Sequence, residues 1–280
     1  MSDATAGANK PREEQVLHEL GSGILRITLN RPEAQNAITP DQRDYLIALL
    51  ADASADVATR AVVLTGTGKG FCTGADLRVS RAAPVRPGGA PERIAGDISR
   101  MLRDGAQRLV SAILDCEKPV IAAVNGTAAG IGAHMAFASD LVIAADTARF
   151  IEVFVRRGLV PDGGGAYLLA RLVGPQKAKE LFFFGDALSA SDAHAMGLVN
   201  KVVAADDLEG TATAWAERLA VGPTRAISLT KWLVNRSLEA DRAGALHDEA
   251  LAQELNMGTH DAQDGVDSFV ERRDAEFKGW

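Results

Sequence analysis

Cysteine is nearly missing from this chain: 280 residues hold two, Cys72 and Cys116, with no CxxC pair and no flanking histidine cluster. That excludes a disulfide framework and gives no support to a zinc site, and it places the chain in a reducing, cytoplasmic setting. An excess of positive charge is missing too. Thirty Lys plus Arg stand against 37 Asp plus Glu, a formal net charge of −7, so the surface offers no broad cationic field and a nucleic-acid partner is not expected. The N-terminus lacks the cationic start and apolar stretch of a secretory signal, and residues 1–13 read as a disordered tail. One run without Asp, Glu, Lys or Arg, from Pro119 to Ser139, is long enough to cross a bilayer. Asn125, Gly126, Thr127, Gly130, Gly132 and His134 divide it into an apolar strand, a glycine turn and a small-residue helix, so no membrane span is expected.

Nucleotide and hydrolase motifs are also missing. Lys69 is followed by Gly70 where a P-loop needs Ser or Thr, and a Gly-x-Gly-x-x-Gly pattern from Gly66 or Gly68 meets Phe71 or Thr73 instead. Neither a Gly-x-Ser-x-Gly elbow nor a His-Glu-x-x-His helix occurs.

What is there is a chain with 47% hydrophobic residues, enough for a sizeable core. Alternation from Gln15 to Asn30 around Gly21-Ser22-Gly23 predicts a hairpin. Thr39, Pro40 and Gln42 carry the capping-box pattern with Pro at the first helical position, opening a helix that runs to about Ala55. A strand at Ala61 to Leu64 leads into a glycine-rich stretch, Gly66 to Leu77, and then Ala82 to Pro91, a candidate lid. A long helix over Glu92 to Cys116 and a strand over Val120 to Val124 follow. Short strands are expected at Leu141 to Ala144 and Arg149 to Phe154, a turn at Pro161 to Gly165, and a helix at Ala166 to Val173. Another helix closes at Leu181 to Phe184, with Phe182, Phe183 and Phe184 read as core. From Ala204 onward the amphipathic blocks are Asp206 to Leu219, Pro223 to Leu238, Ala243 to Leu255 and Ala262 to Phe277. The organisation is an α/β core over 14–203 and a helical region over 204–280, which packs on that core or on a neighbouring subunit.

Two glycine turns stand behind apolar strands, Gly74-Ala75-Asp76 and Gly130-Ile131-Gly132. Backbone amides of such turns can converge on one oxygen and stabilise an oxyanion; on spacing alone they also read as ordinary tight turns.

Four segments carry a resemblance. Phe71-Cys72-Thr73-Gly74-Ala75-Asp76-Leu77, Asn125-Gly126-Thr127-Ala128-Ala129-Gly130-Ile131-Gly132, Leu159-Val160-Pro161-Asp162-Gly163-Gly164 and Phe269-Val270-Glu271-Arg272-Arg273 are similar to the enoyl-CoA hydratase/isomerase (crotonase) family. The similarity runs from about Val16 to Lys278 and includes Leu29-Asn30-Arg31-Pro32 with Asn36-Ala37. It implies a crotonase-like spiral of strand-strand-helix repeats, a helical C-terminal region that makes trimers or hexamers, and an acyl-CoA thioester as substrate. No metal or redox cofactor is implied, coenzyme A being part of the substrate. The oxyanion donors map onto the Ala75 and Ile131 amides, and an Ile is acceptable at a backbone donor provided the turn needs no positive φ there. Gly74, Asp76, Leu77 and Arg78 map onto the CoA path, and Phe269 and Arg272 onto adenine and phosphate contacts.

Two departures bear on the chemistry. Hydratases of the family carry two glutamates, and their positions hold His134 and Phe154 here. Phe154 cannot transfer a proton, and on an extended segment Glu152 would share its face about 7 Å back along the strand. Asp162 sits where isomerases of the family, epoxyphenylacetyl-CoA isomerases among them, carry an acidic residue; the same residue also reads as a cap of the following helix. His134 is an auxiliary acid/base or a packed helix histidine. His18, His194, His247 and His260 have surface or packing roles. Cys72 is an apolar filler with a thiol open to alkylation. The expected reaction is isomerisation of an acyl-CoA with Asp162 carrying the proton. Rival readings are hydration or hydrolysis through His134 and Asp162, and an acyl-CoA-binding scaffold without chemistry.

Overall fold

The structure, a computed structural model, describes residues 11–79, 87–92 and 94–280. Most of the expected tail (1–10) and half of the candidate lid (82–86) therefore lie outside the described residues. Arg12–Gln15 form a single helical turn, α1. Strands β1 (Val16–Gly21) and β2 (Ile24–Leu29) pair antiparallel across Ser22 and Gly23. Both turn residues are left-handed (φ 52° and 77°), as a two-residue hairpin loop needs in order to match the twist of its strands. Helix α2 (Pro40–Ala55) starts on the expected capping box. The Gln42 amide donates to Thr39 Oγ1 at 3.2 Å, and the Thr39 amide donates to Gln42 Oε1 at 2.9 Å.

The next elements are β3 (Ala61–Gly66), β4 (Gly70–Cys72), α3 (Asp97–Leu102) and α4 (Arg108–Leu114). Then come β5 (Val120–Val124), β6 (Thr127–Ala129), α5 (Ile131–Ala138), β7 (Leu141–Ala145) and β8 (Arg149–Ile151). Helices α6 (Gly165–Leu172) and α7 (Gly174–Phe184) lead to β9 (Ala187–Ser189), α8 (Ala190–Ala195) and β10 (Lys201–Val203). The chain ends in four helices, α9 (Leu208–Ala220), α10 (Thr224–Ser237), α11 (Arg242–Met257) and α12 (His260–Glu271).

The strands form a six-stranded sheet in the order β1-β2-β3-β5-β7-β10 and a four-stranded sheet in the order β4-β6-β8-β9. Successive strand pairs, β3 and β4, β5 and β6, β7 and β8, each give one strand to the larger sheet and the next to the smaller. The chain thus advances as the expected α/β spiral of strand-strand-helix repeats. Apart from β1 with β2 and β8 with β9, the pairings are parallel. Parallel strands covered on both faces read as unbroken apolar runs, and β5, buried at every residue, is one. The charge-free run is β5, β6 and α5, and α5 is buried along its whole length. Among the described residues no helix is long and apolar enough to cross a membrane.

Four local expectations need correction. The helix over Glu92 to Cys116 starts at Asp97 and is broken at Gly105, whose backbone (φ −112°, ψ −105°) leaves the helical region. The Arg43 guanidinium lies over that glycine, where an added Cβ would come within 2.7 Å of it. The strand over Arg149 to Phe154 stops at Ile151, whose carbonyl takes the Gly130 amide at 3.0 Å, while Phe154 is already helical (φ −57°, ψ −51°). Glu152 and Phe154 therefore share no extended face. The last helix ends at Glu271 rather than near Phe277, because Arg272 turns left-handed and the Asp261 carboxylate accepts the Lys278 and Gly279 amides, folding the chain end back. Of the three consecutive phenylalanines only Phe182 packs on the core, α7 leaving Phe183 and Phe184 in solvent.

Candidate active site

The first turn follows β4. Gly74 holds φ at 111°, a value that excludes a side chain, and the next residue forms a parallel bridge with Ile38. The bridge uses neighbouring groups: the Ile38 amide donates to the Gly74 carbonyl at 2.8 Å, and the Asp76 amide to the Ile38 carbonyl at 2.9 Å. The Ala75 N–H takes no part in it and Ala75 is exposed.

Asp76 locks this loop from below. Its buried carboxylate accepts Arg78 Nε at 2.8 Å and Arg78 Nη2 at 3.0 Å, together with Nη2 of the fully buried Arg31 at 3.0 Å. Arg78, with Arg31 beside it, holds the Asp76 carboxyl down at about 2. The other end of the Arg31 guanidinium donates to the Ala37 carbonyl at 2.8 Å, tying the start of α2 to the turn. Asp76 is thus occupied by arginines, Leu77 is exposed, and the half-exposed Arg78 turns its guanidinium back onto Asp76. In the sequence Arg31 stands only within the family-like segment Leu29-Asn30-Arg31-Pro32; the fold buries it beside Asn36 and Asp76.

The second turn lies between β6 and α5. Gly130 sits at φ 52°, ψ −124°, whereas Ile131 is ordinary right-handed helix, so a side chain at the second donor costs no strain. As the first residue of α5, Ile131 has an amide without an intrahelical acceptor. The two turns meet closely. A Cβ on Gly132 would lie 2.0 Å from the Cys72 carbonyl oxygen, and one on Gly74 would lie 3.3 Å from the Ala129 carbonyl oxygen. The amides of Ala75 and Ile131, neither bonded to a backbone carbonyl among the described residues, therefore flank one contact between β4 and the start of α5.

The third turn carries Asp162. Gly163 and Gly164 are both left-handed, at φ 54° and 81°, and the N-cap of α6 is Gly164 without a side-chain cap bond. Asp162 is therefore not the cap of that helix. Its carboxylate makes no hydrogen bond to the described residues and is half-buried. Desolvation pushes its pKa up, and the Glu152 charge adds to the rise while His134 opposes it. The broken helix between α3 and α4 forms the opposite wall: Cβ atoms on Gly163 and Gly164 would touch Ala106 at 3.4 Å and Val110 at 3.3 Å.

His134, on α5, is fully buried. Its ring stacks on Phe154 with centroids 5.5 Å apart, and its Nε2 lies 3.0 Å from Glu152 Oε2 in a hydrogen bond. A Cβ on Gly165 would lie 2.2 Å from Nε2, so the first residue of α6 is glycine where the ring needs the space. The structure thus brings His134, Glu152 and the Asp162 turn together, with the Ile131 side chain against Gly163. Glu152 joins this cluster because β8 ends one residue earlier and the chain turns it inward. Alternation of apolar residues gave no sign of that.

Cys72 is fully buried beside the first turn, and burial pushes its thiol up to about 11. This corrects the reading of an alkylatable thiol. Iodoacetamide at pH 8 is expected to leave Cys72 unmodified in the native protein and to label it after guanidinium unfolding, as read by peptide mass spectrometry. Phe269 and Arg272 stand apart from the three turns, at the end of α12, with Phe269 84% exposed.

A family model described as enoyl-CoA hydratase/isomerase matches residues 19–280. A Rhodobacter capsulatus protein named "Probable enoyl-CoA hydratase" is 38% identical over 264 residues, covering 94% of this chain and 98% of that protein. The 1,2-epoxyphenylacetyl-CoA isomerase of Escherichia coli K12 is 36% identical over 266 residues, covering 95% of this chain and 99% of the relative. The crystal structure of an enoyl-CoA hydratase from Bacillus anthracis superposes with a TM-score of 0.85 at 30% identity, over 95% of this chain and 100% of that one. The chain belongs to the enoyl-CoA hydratase/isomerase, or crotonase, family.

Proposed function

We propose that the protein is an acyl-CoA isomerase working through an oxyanion-stabilised enolate. The amides of Ala75 and Ile131 bind the thioester oxygen, which acidifies the α-carbon, and Asp162 removes a proton from one carbon and returns it to another. The observation that carries this reading is the asymmetry of the site. An uncapped, half-buried Asp162 with a raised pKa faces the oxyanion turns, while the other carboxylate position of a water-adding enzyme is filled by the buried Phe154. One proton carrier suffices for isomerisation. The 36% identical relative named as an epoxyphenylacetyl-CoA isomerase supports an unsaturated or ring-strained acyl group.

A second reading, hydration or hydrolysis with water held by His134 and Asp162, is favoured by one observation: His134 Nδ1 is buried without a partner among the described residues. On either reading Gly74, Asp76, Leu77 and Arg78 border the CoA path, with Asp76 holding its shape. Phe269 and Arg272 meet the adenine and phosphates. The region 204–280 makes the homo-trimer or hexamer, which accords with the exposed Trp232, Leu246, Leu255 and Val266 on α10 to α12.

Incubation with a panel of acyl-CoA thioesters in deuterated water, followed by mass spectrometry, tests this. Deuterium incorporation or a shifted double bond without added water is the expected result. Net addition of water would move the assignment to a hydratase, and binding without exchange would leave a scaffold.

A further inference from the structure

Glu152 has a place in this site that the isomerase reading does not yet use. A buried carboxylate is costly unless it is paired and hydrogen-bonded. Glu152 is 4% exposed, it bonds His134, and its second oxygen has no partner among the described residues. The histidine is in the same state, one ring nitrogen bonded and the other, Nδ1, buried without a partner among the described residues. Two orphaned polar atoms in one buried pair are expensive where only packing is served, and Phe154 and Gly165 already clamp the ring.

The orientation is informative. Nε2 points to Glu152, while Nδ1 lies 3.5 Å from the position of a Cβ on Gly163, the residue next to Asp162. An ionised carboxylate only accepts, so its partner nitrogen must carry a hydrogen, and a neutral ring then presents an unprotonated Nδ1.

We propose that Glu152 is a positioning residue for the reaction: it fixes His134 as the Nε2–H tautomer with a basic Nδ1 turned to the Asp162 turn. This rests on the isomerase reading and extends it. When Asp162 takes a proton from substrate carbon, the C–H electron pair enters the enolate and the oxyanion amides hold the resulting charge. The proton on Asp162 can then pass to Nδ1, giving an imidazolium faced by the Glu152 carboxylate, and return to Asp162 for delivery to the second carbon. Only a proton moves, and no oxidant or co-reactant is needed.

The test combines ring-nitrogen NMR of the full chain labelled with 15N-histidine and kinetics on whichever thioester the panel selects. The His134 signals are identified by their loss in His134→Gln. The expected wild-type spectrum is that of an Nε2–H imidazole. Glu152→Gln should give mixed tautomers and lower kcat about 10- to 100-fold with KM within about twofold, and Glu152→Asp should recover part of the kcat. An Nδ1–H wild-type ring overturns the proposal even if Glu152→Gln does not fold. So does a folded Glu152→Gln protein with kcat within about twofold of wild type. A wild type that neither exchanges nor converts any thioester instead brings down the isomerase reading and this role with it, and that failure is visible before any variant is made.

Discussion

Asp162→Asn is expected to lower turnover about 10³-fold while leaving acyl-CoA affinity within about threefold, because positioned acid-base groups contribute about 10² to 10⁴ and Asn cannot carry the proton. Steady-state kinetics with isothermal titration on the same thioester check both halves. The variant should also be at least as stable as wild type at pH 7, and the sign follows from the site. Burial and the Glu152 charge raise the Asp162 pKa in the fold, so its ionised form costs stability above that folded pKa. The cost shrinks as pH falls through the folded pKa and is gone below the unfolded value of about 3.9, where both states are protonated. Thermal melts of the two proteins should therefore diverge at pH 7, with the variant higher, and converge near pH 3.5. A variant that is less stable at pH 7 and equally active would mean that Asp162 is a structural residue. A scaffold without chemistry would show unchanged binding and no turnover in either protein.

How much of this was legible depends on the range of the interaction that fixes each feature. The hairpin at Ser22-Gly23 and the box at Thr39 and Gln42 are set by residues within four positions of each other, and both stand where the text puts them. The glycine turns were visible as glycines after apolar strands, and the family motifs assigned their amides a role. Glu152 was not legible as part of the site. Period-two alternation carries Arg149 to Phe154 on as one strand, whereas the strand ends at Ile151 because its carbonyl is taken by Gly130, a residue from the preceding repeat. The buried Arg31 was hidden for the same reason: its partner Asp76 lies 45 residues away. The break at Gly105 rests on Arg43 from α2, and apolar spacing in α3 and α4 is nearly blind to it. Local chemistry wrote the elements, and contacts between repeats decided where each element stopped.

Gly132→Ala is expected to lower kcat by about 10²-fold or more and to cost about 1–3 kcal/mol of stability. The new Cβ would lie 2.0 Å from the Cys72 carbonyl oxygen and 2.7 Å from its carbon, both backbone atoms that no rotamer change can move aside. Side chains at this separation do not occur, so α5 and the end of β4 must part by at least about 1 Å, a misplacement worth about 10²-fold in rate. That contact stands between the two amides proposed to hold the oxyanion, and parting it separates the Ala75 amide from the Ile131 amide while Asp162 and Glu152 stay in place. The loss should therefore fall on deuterium exchange at the α-carbon as much as on turnover, since forming the enolate is the step the amides serve. Gly210→Ala is the control. It lies on an exposed part of α9 with open space around its Cβ position, and it should gain up to about 1 kcal/mol from helix propensity without touching the rate. Melting temperature and exchange rate measured on both variants separate overpacking from catalysis. A Gly132→Ala protein that is destabilised yet exchanges at the wild-type rate would show that the paired amides do not carry the oxyanion.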